Sequence, residues 1–241
     1  MRRACLVLLI ALLAAGCGSA TSASSTTSAT PAGGSDTTST STSTSTSTAT
    51  PAACRSVAVP PAKGPQHLAA PRTKLDPSRT YTVTVVTNCG TFAFALDVKH
   101  SPKTSASIYY LVKRGFYTGL TFHRVAAGFV IQGGDPLGDG TGGPGYTVVE
   151  PPASSTQYVL GDVAMAKTQA DPPGASGSQF FIVTAPNVTQ SAGLTPDYAL
   201  AGKVVSGIDV VRRIGSLPTN PPNDGTPSPA VVMSSVTVST R

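Results

Sequence analysis

Apolar and polar positions alternate over several short stretches, all of them in the last two thirds of the chain. Residues 81–87 alternate β-branched and polar side chains, and residues 91–97 alternate again after the turn-forming Asn88-Cys89-Gly90. This pattern predicts a β-hairpin. The same criteria predict further strands over residues 121–132, 159–165, 180–183, 198–205 and 231–238.

Two helices are predicted between these strands. The first has Ser101 as its N-cap, Pro102 as its first helical residue and Gly115 as its stop signal. The second is a shorter amphipathic segment over residues 208–214. Many short strands, Gly/Pro turns and only two helices are typical of a barrel or sandwich. The sequence therefore predicts a mainly β domain over residues 80–240.

The first residues have the pattern of an export signal. Arg2 and Arg3 precede an apolar run over residues 6–15, which is shorter than the roughly 20 residues that a membrane-spanning helix needs. Residues 1–16 are therefore interpreted as a signal peptide. The small residues before Cys17 resemble the lipobox of bacterial lipoproteins, which predicts lipidation of this cysteine and an anchor on the outer face of the cell membrane. A simple signal peptide with an incidental cysteine is the alternative.

Residues 17–79 are predicted to form a disordered linker. Ser, Thr, Ala and Gly dominate its first half, and no aromatic residue occurs between Cys17 and Tyr81. Such a segment buries too little apolar surface to offset its conformational entropy. Cys54 and Cys89 remain as two thiols of an exported protein, which favours a disulfide that pins the linker to the first strand. Two unpaired thiols are the alternative.

Composition narrows the possible functions. The net charge is +6, and loss of Arg2 and Arg3 leaves 15 basic against 11 acidic residues, or +4, without a dense basic patch. Nucleic-acid binding is therefore not expected. The three histidines lack metal-ligand spacing, so no metal site is expected. The literal GxGxxG match over residues 138–143 is followed by Pro144 instead of a helix, which favours a loop over a dinucleotide site.

Two blocks of sequence carry the candidate chemistry. Residues 122–135 read Phe-His-Arg-Val-Ala-Ala-Gly-Phe-Val-Ile-Gln-Gly-Gly-Asp, and residues 177–182 read Gly-Ser-Gln-Phe-Phe-Ile. With these blocks in family order, the chain over residues 81–238 resembles the cyclophilins. The resemblance implies a closed eight-stranded antiparallel barrel capped by two α-helices. It also implies peptidyl-prolyl cis–trans isomerase activity that needs no cofactor.

The resemblance also implies roles for individual residues. Arg124 matches the catalytic arginine of the family, and Gln132 matches the residue that orients the guanidinium or the substrate backbone. The remaining substrate-binding positions are Phe129, Val130, Phe181 and Leu194 for the proline pocket, Ala166, Lys167 and Thr168 for the substrate backbone, Tyr198 at the pocket's edge, and Gln179. Considered alone, Arg124 could be an ordinary surface arginine, and the four pocket residues could belong to the barrel core.

The sequence departs from the family pattern at the rim of this site. Lys167 stands where Asn is usual, Tyr198 where many members have His, and Val130 where the best-known members have Met. Gly193 aligns with a position where eukaryotic members often have Trp, and the chain contains no Trp. Because that Trp contributes to cyclosporin binding, weak inhibition by the drug is expected.

These features favour a monomeric enzyme that binds proline-containing polypeptides and assists the folding of exported proteins. A rival hypothesis is a binding module or chaperone that keeps the groove and catalyses little. Retention of Arg124, together with Gln132 and the pocket residues, favours the enzyme, because a mere binder would not need the guanidinium. A surface adhesin on a stalk would fit the linker but would leave the groove unexplained.

Overall fold

The protein is represented by a computed structural model that describes residues 53–241. The predicted signal peptide and Cys17 lie outside the described residues. Within them the chain forms three helices, α1 (Pro102–Lys113), α2 (Val188–Ala192) and α3 (Ile208–Gly215). It also forms the strands β1 (Tyr81–Thr87), β2 (Gly90–Leu96), β3 (Thr121–Phe122), β4 (Arg124–Ala126), β5 (Val130–Gly133), β6 (Val148–Val149), β7 (Asp162–Met165), β8 (Ala175–Ser176), β9 (Phe180–Val183), β10 (Leu200–Ser206), β11 (Thr219–Asn220), β12 (Asp224–Pro227) and β13 (Val231–Thr240).

The strands form a curled antiparallel sheet of eleven members and a separate pair. The large sheet has the order β11-β12-β4-β5-β9-β7-β10-β2-β1-β13-β3, and β6 pairs with β8. The mainly β prediction is confirmed, but the predicted eight-stranded closed barrel is not matched in its strand count. One reason is that the predicted strand over residues 121–132 is three strands, with β3 and β4 separated at His123. β3 pairs with β13 and β4 pairs with β5. The short segment 121–126 therefore contacts the sheet at two places, which are separated by the strands from β5 to β13 in the sheet order.

The two faces of the sheet bury different side chains. Successive residues of a strand point to opposite faces. Phe180 and Ile182 of β9 therefore pack in the main core with the hairpin β1–β2 and helix α1, whereas Phe181 and Val183 belong to a second, smaller cluster on the other face. This second cluster also contains Val130. The residues predicted to line a pocket thus lie outside the main core.

Helix α1 begins at Pro102 as predicted, but its N-terminal cap differs from the prediction. Ser101 makes no side-chain capping bond. Instead, the Glu150 carboxylate accepts hydrogen bonds from the backbone N–H groups of Lys103 at 3.0 Å and Thr104 at 2.7 Å. A carboxylate at a helix N-terminus satisfies unpaired donors and complements the helix dipole. A capping residue 46 and 47 positions away in the sequence leaves no local signal.

The predicted second helix is α3, and α2 is a helix that the sequence pattern did not predict. Asn187 caps α2 by accepting from the Gln190 N–H at 3.1 Å. Gly193 ends the helix with a left-handed backbone (φ 65°) and leads into Leu194. Helix α2 and its terminal glycine therefore hold Leu194 beside the second cluster.

Residues 53–79 correct the predicted extent of the linker. This segment, called the strap below, contains no helix or strand, yet it lies along the folded domain. A disulfide joins Cys54 to Cys89, and the predicted pairing is present in the structure. The strap also forms backbone hydrogen bonds to Asn88, Pro136 and Pro144. These bonds add to the packing of Leu68 and Leu75 against the main core. Five prolines within the strap reduce the entropy lost on ordering.

Within residues 53–241, none of the helices combines the length and the apolar character that crossing a bilayer requires. In the same part of the chain, no three His, Cys, Asp or Glu side chains come together in a way that could hold a metal ion.

The Glu150 cap gives a test of the fold. We expect Glu150→Ala to lower the free energy of unfolding by about 1–2 kcal/mol, because two N–H groups at the start of α1 lose a charged acceptor. Ser101→Ala, which removes the residue predicted from sequence to be the cap, should change it by less than about 0.5 kcal/mol. Urea unfolding of both variants measures the difference, and equal losses would contradict the assignment of the cap to Glu150.

Candidate active site

Antiparallel pairing brings the two predicted catalytic residues side by side. Arg124 of β4 pairs with Gln132 of β5, which in turn pairs with Phe181 of β9, and Phe181 pairs with Ala164 of β7. Directly paired residues project to the same face of a sheet with their side chains in reach of one another. One row across four strands therefore holds a cation, an amide and an aromatic ring on the face opposite the main core.

The guanidinium of Arg124 is held on one edge by a carboxylate. Its Nε donates to Asp224 Oδ1 at 2.6 Å and its Nη2 donates to Asp224 Oδ2 at 2.7 Å. Antiparallel pairing of β12 with β4 puts Asp224 opposite Ala126 and so beside the arginine. Such a bidentate pair fixes the plane of the guanidinium as well as its position.

Side-chain amides support the other edge of the guanidinium. Arg124 Nη1 donates to Gln132 Oε1 at 3.1 Å, and Gln132 Nε2 donates to Gln179 Oε1 at 3.1 Å. Gln179 Nε2 then donates to the carbonyl oxygens of Gly140 at 2.9 Å and Gly142 at 2.8 Å. This series of bonds is called the amide relay below.

The ends of the amide relay dictate the orientation of both amides. A guanidinium can only donate and a backbone carbonyl can only accept. Gln132 must therefore turn its oxygen toward Arg124, and Gln179 must turn its NH₂ group toward the loop. A flip of either amide would place two donors or two acceptors face to face.

Two residues of the glycine-rich match over residues 138–143, Gly140 and Gly142, are part of this support. The match forms a loop, as the sequence analysis favours, and no helix follows it. The buried Asp135 carboxylate organises the loop by accepting from the N–H groups of Leu137 at 2.8 Å and Gly140 at 2.5 Å. A Cβ at Gly142 would collide with the Asp135 carboxylate, so glycine is required there. The sequence alone predicts no role for this loop.

A cavity of about 130 Å³ opens beside Arg124 and Gln132. Its other lining residues are the predicted Phe129, Val130, Ala166, Lys167, Phe181, Leu194 and Tyr198. With about 30 Å³ per liquid water molecule, its volume suits one small ring and not a drug-sized ligand. A small cavity with aromatic and aliphatic side chains in its wall and a guanidinium at its edge can take a small aliphatic ring whose attached amide is polar.

Aromatic contacts shape the floor and wall of this cavity. The rings of Phe181 and Tyr198 lie edge to face with centroids 5.3 Å apart, and Tyr158 packs against both at 6.3 Å. The buried Tyr158 hydroxyl donates to the Tyr198 carbonyl at 2.6 Å and accepts from the Tyr198 N–H at 3.1 Å. Burial raises the pKa of Tyr158 to about 12, so this hydroxyl keeps its proton at neutral pH. The wall of the cavity is thus fixed before any ligand enters.

A second and larger cavity, of about 570 Å³, adjoins the first. The two share Gln132, Ala166 and Lys167 in their linings, and Thr168 and Gln179 line the larger one only. Lys167 Nζ donates to the carbonyls of Thr168 and Asp171, both at 3.2 Å, and lies 5.5 Å from the centre of the Tyr198 ring. The lysine therefore stands at the boundary between the two cavities.

The imidazole of His123 lies next in sequence to Arg124 and is largely buried. Neither of its ring nitrogens has a hydrogen-bond partner among the described residues. Burial is the main cause that lowers the pKa of His123, although Asp135 opposes this shift. The ring is therefore neutral at pH 7 and adds no positive charge beside Arg124.

The structure thus brings every predicted substrate-site residue to one of two adjoining cavities, while their roles stay predictions. Gly193 does not line either cavity and lies at the end of α2 beside Leu194. Three hydrogen-bond acceptors that support the site were not predicted from the sequence: the Asp224 carboxylate and the carbonyls of Gly140 and Gly142. Asp224 follows a Pro-Pro-Asn turn with no periodicity, and the carbonyls of Gly140 and Gly142 carry no side-chain signal.

Comparisons with known proteins agree with this geometry. The family model for cyclophilin type peptidyl-prolyl cis-trans isomerases/CLD matches residues 82–238. Peptidyl-prolyl cis-trans isomerase B of Streptomyces anulatus is 40% identical over 178 residues, covering 66% of this chain and 96% of that protein. Peptidyl-prolyl cis-trans isomerase B of Bacillus subtilis is 41% identical over 124 residues, covering 51% and 82%.

Solved structures give the same result. A cyclophilin type peptidyl-prolyl cis-trans isomerase of Cryptosporidium parvum superposes with a TM-score of 0.59 at 28% sequence identity, covering 66% of this chain and 98% of that one. Its crystal structure in the presence of the dipeptide Ala-Pro gives a TM-score of 0.58. Residues 82–238, which the family model matches, include the lining of both cavities, Arg124 and the amide relay. The chain belongs to the cyclophilin-type peptidyl-prolyl cis-trans isomerase family.

Proposed function

We propose that this isomerase accelerates rotation about X-Pro bonds in exported polypeptides and so assists their folding outside the cytoplasm. The observation that carries the proposal is the cavity of about 130 Å³ that has Arg124 and Gln132 at its edge. A proline-containing segment would place its ring in this cavity, and the adjoining cavity of about 570 Å³ would receive residues that precede the proline. The Ala-Pro dipeptide named for the Cryptosporidium structure supports this choice of ligand.

The reaction needs no bond to be made or broken by the protein. Amide resonance opposes rotation with a barrier of about 18–20 kcal/mol. When the amide twists, conjugation ends and the lone pair of the prolyl nitrogen becomes a hydrogen-bond acceptor. A donor that reaches this nitrogen binds the twisted amide better than the planar one, and each ~1.4 kcal/mol of difference increases the rate tenfold.

The guanidinium of Arg124 has donors left for this purpose. It carries five N–H bonds, of which Asp224 accepts two and Gln132 accepts one in the described structure. One N–H on each terminal nitrogen is without a partner among the described residues. Since Arg124 lines the cavity, these donors can reach the amide of a bound proline. The held cation is preorganised for the twisted state and needs no rearrangement.

An isomerase and a non-catalytic binding module would use the same residues differently. A binding module would use the apolar cavity and gain nothing from a guanidinium that is fixed on both edges. Asp224 and the amide relay hold Arg124 in one plane, which costs side-chain entropy and is useful only if the direction of its N–H bonds matters. This observation favours the enzyme over the module. The adhesin hypothesis has no counterpart in the geometry of the site.

The proposed activity is tested on a tetrapeptide that contains one X-Pro bond. We expect Arg124→Ala to lower kcat/KM by about 10²–10³, the usual effect of deleting one preorganised donor. Arg212→Ala removes an exposed arginine of α3 and is the matched control, which should retain wild-type activity. Equal rates for the wild type and Arg124→Ala, with peptide binding retained, would leave the binding module as the function.

The support of Arg124 by Asp224 gives a second test. In Asp224→Asn one carboxylate oxygen becomes an NH₂ group, which faces either the Nε or the Nη2 donor of Arg124, so we expect kcat/KM to fall roughly tenfold. KM should change little, because Asp224 is not among the residues that line the proline cavity. Asp209→Asn removes an equal charge from an exposed position of α3 and serves as the control. A wild-type kcat in Asp224→Asn would rule out this supporting role.

The proposed location depends on Cys17, which lies outside the described residues. Residues 1–16 have the pattern of a bacterial export signal, and the residues before Cys17 resemble a lipobox. Lipidation would hold the isomerase at the outer face of the cell membrane, with residues 18–52 as a tether of Ser, Thr, Ala and Gly.

We expect mass spectrometry of the mature protein from a lipoprotein-processing bacterium to find an acyl-glyceryl mass on an N-terminal Cys17. Cys17→Ser should abolish this mass and release the protein from the membrane fraction, since the thiol that carries the diacylglycerol is gone. A mature wild-type protein that begins with an unmodified residue would exclude the anchor.

A further inference from the structure

The strap, residues 53–79, is fixed to the domain at points remote from the candidate active site. The Cys54–Cys89 disulfide joins its beginning to the β1–β2 turn. Next to the disulfide, Arg55 N–H donates to the Asn88 carbonyl at 3.1 Å and the buried Asn88 side chain donates to the Arg55 carbonyl at 2.6 Å. The strap therefore has its own attachment and does not rely on the site for its position.

A second attachment lies at Lys63. Its ammonium donates to the carbonyls of Gly115 at 3.1 Å and Phe116 at 2.8 Å, which follow the end of helix α1. A cation is favourable at a helix C-terminus, where carbonyl groups are left unpaired. Partial burial lowers the pKa of Lys63 from its ordinary value.

From this anchored position the strap holds both ends of the glycine-rich loop. The backbone N–H of Lys63 donates to the Pro136 carbonyl at 2.9 Å, and the N–H of Leu68 donates to the Pro144 carbonyl at 2.8 Å. Between these two bonds lie Gly140 and Gly142, whose carbonyls accept from Gln179. The loop over residues 136–145 contains no helix or strand. Its geometry therefore depends on the carboxylate of Asp135, which directly precedes the loop, and on the strap.

The contact between strap and loop is closest at Gly145. Its backbone has a φ of +92°, a region that favours glycine. A Cβ at this position would lie 2.6 Å from the Gln66 carbonyl oxygen and 2.7 Å from His67 Cα. Both are backbone atoms of the strap, which cannot move aside as the end of a flexible side chain can. Glycine at 145 is what allows the strap and the loop to lie against each other.

We propose that residues 63–68 of the strap are positioning residues for the isomerase site. By holding Pro136 and Pro144 they fix the carbonyls of Gly140 and Gly142, and these fix the orientation of Gln179, Gln132 and finally the Arg124 guanidinium. The strap lines neither cavity and does not touch Arg124. Its effect reaches the reaction through the loop that it holds, which supports the amide relay and also lines the larger cavity. This inference rests on the proposed isomerase activity of the same site.

The central experiment uses Gly145→Ala in the full chain. Its added methyl group pushes the strap from the loop, so we expect kcat to fall on the order of tenfold, a larger factor than the rise in KM caused by Gly145 lining the larger cavity. Gly138→Ala is the matched control. Gly138 belongs to the same loop and has a φ of +79°, but its Cβ would meet no atom within 4 Å, so its activity should stay within about twofold of wild type. Each variant is assayed at a temperature where its unfolding curve shows it to be folded.

A strap variant tests the same inference without changing the loop. Lys63→Met removes the ammonium that anchors the strap after α1 and should lower kcat in the same direction as Gly145→Ala. Lys74→Met, which removes an exposed lysine of the strap, should leave kcat unchanged. If Gly145→Ala does not fold, Lys63→Met with this control decides the question.

Two measurements separate positioning from a general loss of stability. In a double-mutant cycle, Gly145→Ala should have little further effect on kcat in a Gln179→Ala background, because the relay is already broken. In NMR spectra of the wild type and Gly145→Ala, the side-chain NH₂ signals of Gln132 and Gln179 should shift while that of Gln190 stays in place.

The outcomes distinguish the inference from the proposed function. Wild-type kcat in Gly145→Ala and Lys63→Met, an equal loss in Gly138→Ala, or additive losses in the cycle would each overturn the positioning role. A wild-type protein without isomerase activity would instead contradict the proposed function. In that case the NMR signals alone decide whether the strap orients the two amides, and unchanged signals in Gly145→Ala would refute it.

Discussion

The antiparallel pairing of β5 with β9 sends Phe180 and Ile182 into the main core and leaves Phe181 on the opposite face of the sheet. Because side chains alternate along a strand, the residues that stabilise the domain and those that form the proline cavity are neighbours in sequence. Core packing on one face therefore fixes the position of the cavity on the other. A one-residue slip of β9 would exchange the two sets and abolish both the core and the cavity.

The same pairing places Gln132 between Arg124 and Phe181 but does not set the direction of its amide. That direction comes from a donor-only guanidinium at one end and acceptor-only carbonyls at the other. The site thus combines two kinds of order. The sheet gives the positions of the side chains, and the hydrogen-bond polarity of the relay gives the orientation of the Arg124 donors.

The elements predicted correctly from the sequence are those whose pattern lies within a few consecutive residues. Alternation over residues 81–97 predicted the β1–β2 hairpin, and the Ser-Pro and glycine signals located helix α1. The blocks around Arg124 and Gln179 implied the site residues through a family resemblance, and the structure gathers these residues around two cavities.

Two hydrogen-bond partners that were not predicted from the sequence lie far along the chain from the groups that they contact. Glu150 caps α1 from 46 and 47 residues away, and Asp224 reaches Arg124 across 100 residues. The two-residue strands β6, β8 and β11 are too short to show any period. A prediction of these features requires the tertiary fold.

The strap shows why composition misjudged residues 53–79. A segment without aromatic residues lacks the burial that would order it alone. Here order comes from a covalent bond at Cys54, from the ammonium of Lys63 and from backbone N–H groups that donate to carbonyls of the domain. Leu68 and Leu75 add apolar contacts with the main core.

Each of these bonds has its partner on a turn, at a helix end or on a loop, where backbone groups are left unpaired by the regular structure. The strap therefore supplies to those groups the bonds that water would otherwise make. Disulfides persist in oxidising compartments, so the Cys54–Cys89 bond fits the proposed location outside the cytoplasm. The bond that retains the start of the strap would then depend on the same export step that brings the isomerase to its substrates.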